Sequence, residues 1–443
     1  MGIVDITAPD EPVLSARLKL DGSLVASRRI GETLYLVTRH AVRLPAETAA
    51  DGGDISARIH ELSLSELLPD WSYDGESKGD LFDADSCFLL PGAADNYVPQ
   101  MVSVTAVDLR APDARPASTC LVGSAETVYA STESLYVATS RYQYADVPLT
   151  GGGSVTTVAA SSTTDTDVEP GTAIHKFALE SSGPEYRGSG RVVGTLGVRG
   201  EAAFRMSDYR GILRVASSTG NTWDGTAETH LTLLKEDNGE LVETAHLPNE
   251  NRRESLGKDG ESLYAVRFAG DRAFLVTFQE VDPLYVIDLS NPEDPKILGE
   301  LEMPGYSDYL HPVSDSLVLG IGKDAIASED GTFSWYQGVK LALFDVSDPT
   351  ALSVVDSLII GERGTESEVL VDHHALAPAD RQPAGPAGRS GTSARSRTGE
   401  LHRRAPGLLR LDGNRALHVR RRWGGWYCEP RAHRCGELPY RRG

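Results

Sequence analysis

Apolar and polar positions alternate along this chain in short runs, and the runs recur. Stretches rich in Val, Ile, Leu and Tyr stop at clusters of Gly, Asp, Asn, Ser and Pro. Such clusters bond their own backbone and close turns, so the pattern predicts β-strands joined by tight connections. The clearest runs are copies of one another. Ile3-Val4-Asp5-Ile6-Thr7-Ala8-Pro9, Ala106-Val107-Asp108-Leu109-Arg110-Ala111-Pro112, Val286-Ile287-Asp288-Leu289-Ser290-Asn291-Pro292 and Leu343-Phe344-Asp345-Val346-Ser347-Asp348-Pro349 share apolar-Asp-apolar-x-x-Pro. Divergent copies fit at Ile59-His60-Glu61-Leu62, Ile174-His175-Lys176-Phe177 and Leu231-Thr232-Leu233-Leu234. The equivalent positions Val4, Leu62, Val107, Phe177, Leu234, Ile287 and Phe344 are 58, 45, 70, 57, 53 and 57 residues apart. A period of this size marks a repeat architecture.

Each copy opens with a strand and a turn. A second strand follows, as at Val13-Leu14-Ser15-Ala16-Arg17-Leu18 or Lys296-Ile297-Leu298-Gly299-Glu300-Leu301. Then comes a β-branched and aromatic pair, seen at Leu34-Tyr35-Leu36-Val37-Thr38, Leu135-Tyr136-Val137-Ala138-Thr139, Ile212-Leu213-Arg214-Val215-Ala216 and Ala273-Phe274-Leu275-Val276-Thr277. Gly31-Glu32 and Gly270-Asp271 supply hairpin turns in front of these strands. Four strands per unit of about 55 residues is the grammar of a propeller blade, and the chain reads as an all-β propeller of about seven recognisable repeats. No helix is required.

The stretch from 200 to 375 sharpens this. Phe204-Arg205-Met206-Ser207-Asp208-Tyr209, Asn249-Glu250-Asn251-Arg252-Arg253, Tyr309-Leu310-His311-Pro312-Val313 and Leu319-Gly320-Ile321-Gly322-Lys323 resemble the secreted bacterial and archaeal β-propeller family, distantly related to WD40 repeats. The resemblance extends over roughly residues 1 to 375. It implies an exported propeller of the periplasm, envelope or exterior to which no reaction is attached, carrying a signal or lipoprotein sequence ahead of the domain. The chain departs from that pattern at both ends. Met1-Gly2-Ile3-Val4-Asp5 begins inside a blade strand with neither a basic nor an apolar leader segment, so the opening of the propeller and its export signal are expected to be missing. After Val371-Asp372-His373-His374-Ala375-Leu376, Arg, Gly, Ala and Pro replace the expected strands. The propeller is therefore placed at 1–380 and a separate tail at 381–443.

Charge separates the same two materials. The formal net charge is −21, yet residues 381–443 hold 15 Arg, no Lys and only Glu400, Asp412, Glu429 and Glu437. That is +11, leaving −32 for residues 1–380. The tail reads as an out-of-frame translation, with a genuine disordered basic tail and, last, a real domain as the alternatives. Aromatics are too few among its arginines for a nucleic-acid arm, and the acidic body argues against nucleic acid as a partner. No apolar run approaches the length of a transmembrane helix.

Candidate chemistry is sparse. Residues 143–171 form a Gly, Ser and Thr-rich insertion within a blade, where Asp165, Asp167 and Glu169 imitate the start of a calcium loop. Pro170 stands where that loop turns on Gly, and the closing bidentate Glu is absent, so the reading is a solvated acidic loop. Cys428, Cys435 and His433 have irregular spacing for zinc. No metal site and no cofactor motif follows. There is no Gly-x-Ser-x-Gly elbow, His-Glu-x-x-His or phosphate-binding Gly loop, so no catalytic residue is named. Cys87 and Cys120 lie in strand-like segments flanking one repeat; an exported protein would bridge them and a cytosolic one would bury two thiols.

His311, between Asp308 and Asp315, has carboxylates that would orient an imidazole as a general base, but with no nucleophile nearby the favoured reading is a structural turn residue between blade strands. His373-His374 beside Asp372 is a weaker example. Arg252 and Arg253, in a polar loop, have the chemistry to clamp an anion, with simple solvation as the favoured reading. The ligand-contacting residues expected are thus Arg252, Arg253, Asp308 and His311, on loops of one propeller face. The favoured reading is an extracytoplasmic binding or scaffold propeller that holds a protein or surface polymer. A hydrolase using carboxylates and His311, and a non-functional truncated product, are the other two.

Overall fold

The computed structural model describes residues 1–41, 62–89, 100–141, 144–148, 154–158, 171–180, 182–197, 202–258, 260–278, 281–327, 334–376 and 378–380, with four short strands in the tail. Among the described residues five up-and-down four-stranded blades follow one another. Blade 1 comprises Ser23–Ile30, Thr33–Ala41, Gln100–Asp108 and Ala117–Val122; blade 2, Thr127–Ala130, Ser134–Arg141, Gly171–Glu180 and Gly183–Val193. Blade 3 comprises Met206–Tyr209, Ile212–Thr219, Glu228–Asp237 and Glu240–Leu247. Blade 4 is Ser262–Ala269, Arg272–Phe278, Val281–Asp288 and Lys296–Pro304; blade 5 is Tyr306–Pro312, Leu317–Ala327, Ser334–Asp345 and Ser353–Ile360. Ahead of them Gly2–Asp5 and Val13–Leu20 pair, and a hairpin of Asp70–Tyr73 and Glu76–Asp80, inserted between the second and third strands of blade 1, extends their sheet.

The repeat marks one place in this plan. Val4 and Val13–Leu20 form a third-and-fourth-strand pair, and Val107, Phe177, Leu234, Ile287 and Phe344 each lie on the third strand of a blade. Ile59-His60-Glu61 lies outside the described residues, and Leu62 is in no strand. At Val4, Phe177, Leu234, Ile287 and Phe344 the register with the outer strand shifts by a bulge. A bulge steepens local twist. Placed between the third and the outer strand, it adds to the twist of blades 2 to 5 and of the N-terminal strand pair.

Where an aspartate follows the anchor, at four of the seven copies, it holds the next turn. Asp5, Asp108, Asp288 and Asp345 each accept the backbone N–H two residues on at 2.9 Å, from Thr7, Arg110, Ser290 and Ser347. That bond draws the Asp5 and Asp108 carboxyls below the usual range. The repeat proline docks the turn on the preceding blade. Pro292 O accepts from Thr244 Oγ1 at 3.2 Å, and Pro349 O sits 1.9 Å from where a Cβ on Gly299 would stand, so only glycine fits there.

Apolar side chains between successive blades make the core. Phe274, Val286, Leu310, Val318 and Phe344 join blades 4 and 5, and Leu231, Leu233, Leu275, Tyr285 and Ile287 join blades 3 and 4. The insertion at 143–171 contributes a hairpin of Tyr144–Pro148 and Ser154–Val158. Asp165, Asp167 and Glu169, and Cys428, Cys435 and His433, lie outside the described residues. Among the described residues no helix is long and apolar enough to cross a membrane.

Candidate functional site

An even number of antiparallel strands per blade returns the chain to the same end each time. Connections between first and second strands and between third and fourth therefore share one face; the others share the opposite face. On the first face lie tight turns, as at 31–32, 210–211, 238–239 and 270–271, together with the Asp- and Pro-containing turns 109–116, 289–295 and 346–352. Asn238 and Gly239 have φ of 50° and 84°, which fits a two-residue hairpin turn with left-handed central residues. This face stitches blades together. Tyr136 Oη and Ser131 Oγ donate to Asp208 at 3.0 and 3.2 Å, Arg214 Nη1 to Gly270 O at 2.6 Å, and Arg272 Nη1 to Val346 O at 3.0 Å. Burial holds the Arg214 guanidinium down to about 10.

The strands that end at the opposite face lead into the longer stretches of chain, those between Ala41 and Gln100, Arg141 and Gly171, Val193 and Met206, and Leu247 and Ser262, and the segment after Ile360. Here, at the end of blade 5, a cleft of about 590 Å³ opens between Tyr306 and Asp308 of the first strand, Lys323 of the second, Ser334–Gln337 of the third and 363–371. Its floor is aromatic. Tyr306 packs on Tyr264, Phe278 and Tyr336 with ring centroids 4.7, 5.1 and 5.1 Å apart. Its wall is polar. Lys323 Nζ pairs with Glu366 at 2.8 Å and also donates to Thr365 O, which pins 361–367 beside the opening. Trp335 and Tyr336 are 42% and 39% exposed, and the Arg363 guanidinium lies 4.3 Å from the Trp335 ring centre. An exposed indole, two phenols, a guanidinium and a carboxylate around one opening can stack a flat ligand face and bond its polar edge.

His311 lies further along the first strand of blade 5, and His373 and His374 lie in the short 3-10 turn His373–Ala375 after the blade. His311 Nδ1 is 3.2 Å from Tyr309 Oη, and the Tyr309 ring stacks on His373 at 6.0 Å. Phe204, from the connection ahead of blade 3, meets His373 edge-on at 4.7 Å. Asp372 accepts from His374 N at 3.0 Å and lies 2.9 Å from His374 Nδ1, and these two contacts lower its carboxyl.

The expected contact residues are thus dispersed. Asp308 lines the cleft; His311 does not, and instead joins the Tyr309 and His373 group. Arg252 is engaged in a bidentate pair with Asp294, Nε at 2.9 Å and Nη2 at 2.7 Å, which raises its own value and lowers that of Asp294. Arg253 Nε reaches Glu250 O at 3.3 Å. Cys87 and Cys120 stand opposite each other where Cys87–Leu89 pairs in parallel with the fourth strand of blade 1, and their sulfurs are 1.97 Å apart. Trp335, Tyr336 and Arg363 were not singled out by the sequence. The available signal was Ser334-Trp335-Tyr336-Gln337, an aromatic pair immediately after a polar blade connection.

An uncharacterised protein of Archaeoglobus fulgidus is 41% identical over 205 residues, 46% of this chain and 28% of that protein. One from Methanocaldococcus jannaschii is 42% identical over 146 residues, 33% of this chain and 20% of that protein. The matched stretches span about a quarter of those relatives. A Synechocystis apocarotenoid oxygenase mutant aligns over 60% of this chain and 57% of its own with a TM-score of 0.30 and 8% identity. The family model described as Beta propeller domain matches residues 1–382, and the chain belongs to that family.

Proposed function

We propose that this protein is an extracytoplasmic binding propeller that holds a partner protein or surface polymer in the blade 5 cleft. The observation that carries the reading is the cleft itself, open on the long-connection face, with Trp335, Tyr336, Arg363 and Asp308 presented together. Specificity in a repeat scaffold comes from its connections, because the strands are committed to packing. The tight-turn face is occupied in joining blades. A Cys87–Cys120 bridge suits an oxidising compartment and supports export. The hydrolase reading needs histidine and carboxylates in one pocket. Asp308 and Glu366 line the cleft without a histidine among the described residues, and Glu366 is tied to Lys323.

The experiment is capture from an envelope extract on immobilised protein. Trp335→Ala with Arg363→Ala should lose the recovered partner, and Arg252→Ala with Arg253→Ala should retain it. A partner recovered equally by wild type and the cleft variant overturns the assignment of the cleft. One lost only with the second pair returns the site to the 249–258 connection.

A further inference from the structure

Beyond the cleft, the turn that follows Val371 gathers donors of a second kind. Asp372 Oδ, a ring nitrogen of His373 and one of His374 all lie within 4.8 Å of one another. We propose that Asp372, His373 and His374 form a surface site for a borderline divalent cation such as Zn²⁺ or Co²⁺.

The local sequence prepares the site. Asp372 caps the 3-10 turn His373–Ala375 by accepting the His374 N–H, so its carboxylate is held at the head of the turn that carries both imidazoles. The rings of His373 and His374 are already 3.9 Å apart between centroids. The His373 ring packs against Phe204 and Tyr309, from different parts of the propeller, which narrows its range to small rotations and limits the freedom lost on ligation. Asp372 and His374 are exposed and give an ion direct access.

Two imidazoles and one carboxylate are a donor set that suits Zn²⁺, Co²⁺ or Ni²⁺ more than Ca²⁺ or Mg²⁺, which prefer oxygen alone. Bonds of about 2.0 to 2.2 Å place neighbouring donors roughly 3 to 3.5 Å apart. The 2.9 Å contact of Asp372 with His374 Nδ1 is near that spacing, and His373 closes the remainder by a small ring rotation. An ion there displaces the proton shared by that pair and keeps positions open toward solvent. Leu370 and Val371, immediately before the turn, line the cleft, so the ion would stand at its margin.

The test is equilibrium dialysis of the tag-free full chain against Zn²⁺, with the absorption of bound Co²⁺ as a second readout. The variants are Asp372→Asn, which keeps an acceptor for the turn, and His374→Ala, which leaves His373 in its packing. Each should weaken the site at least tenfold, and the double variant should bind one ion fewer per chain with its circular dichroism unchanged. Because ligands in the tail are common to every variant, only the difference is read. A double variant that binds as many ions with equal affinity overturns the site. Equal competition by Ca²⁺ overturns the donor assignment.

Discussion

Val4 and Phe344 occupy the same position in two copies of one motif. Each sits at a bulge on a strand, and each precedes an aspartate that holds its turn with the same 2.9 Å bond. Yet Val4 is 48% exposed and Phe344 fully buried. The strand, the bulge and the turn are local products of a dozen residues. Burial is supplied by the neighbouring blade, here by Val286, Leu310 and Val318 around Phe344. The same contrast separates outer strands. Met303 on the fourth strand of blade 4 is buried, whereas on that of blade 5 Val354, Val355, Leu358 and Ile359 are all exposed. A solenoid or ring of repeats derives its stability from interfaces between units more than from the units.

Truncation at the two anchors is the largest test. Phe344→Ala should destabilise by about 3 to 5 kcal/mol, the range for a buried aromatic removed from a packed core. Val4→Ala should change stability by less than about 0.5 kcal/mol. Urea unfolding followed by tryptophan fluorescence measures both. Similar shifts for the two variants would show that Val4 is covered in solution.

A covalent tie distinguishes blade 1 from the rest. Its added strand Cys87–Leu89 is held to Ala117–Val122 by a bridge that closes a loop of 33 residues. Constraint of the unfolded chain by such a loop is worth about 3 kcal/mol. Material made in an oxidising compartment should yield a cross-linked Cys87 and Cys120 peptide pair without reduction, and reductant should lower its melting temperature. Two free thiols would remove the tie and one argument for export.

The exposed strand of blade 5 offers a smaller effect. Both faces of Ser353–Ile360 carry apolar side chains next to an edge, an arrangement that invites strand addition. Val355→Lys with Ile359→Lys should reduce light scattering of concentrated protein with little change in unfolding midpoint. Unchanged scattering would show that this edge takes no part in self-association.

Local chemistry explains what was legible in the sequence. The Asp and Pro of the repeat were readable because each acts within its own turn or on the next strand, and so recurs wherever the turn does. Strand pairs were readable through apolar runs such as Ala273-Phe274-Leu275-Val276-Thr277. The cleft was not, because Tyr306, Lys323, Tyr336 and Arg363 come from four separate segments with no shared spacing. The fate of Arg252 was equally hidden, since Asp294 lies 42 residues away in another blade. Sequence distance also concealed that Tyr309 places His311 and His373 around one ring.

Acid sensitivity gives the finest form of the comparison. Glu236 on blade 3 meets Lys176 at 2.9 Å and Arg187 at 2.8 Å on blade 2, so it is an interface ion pair between units. Partial burial opposes its ionisation, but hydrogen bonds and charge from Lys176 and Arg187 win, and its carboxyl lies below the ordinary glutamate value. A carboxyl lowered by folding stabilises the native state above its unfolded value of about 4.5, and that contribution disappears as pH falls through the lower folded value. Asp5 is lowered too, by bonds to Thr7 in its own turn, which can persist when blades separate. Glu236→Gln should therefore flatten the loss of stability below about pH 4.5, whereas Asp5→Asn should leave that slope nearly as in wild type. Urea midpoints measured from pH 3 to 7 decide between them. An equal flattening by Asp5→Asn would mean that local turns, not blade interfaces, govern the acid transition.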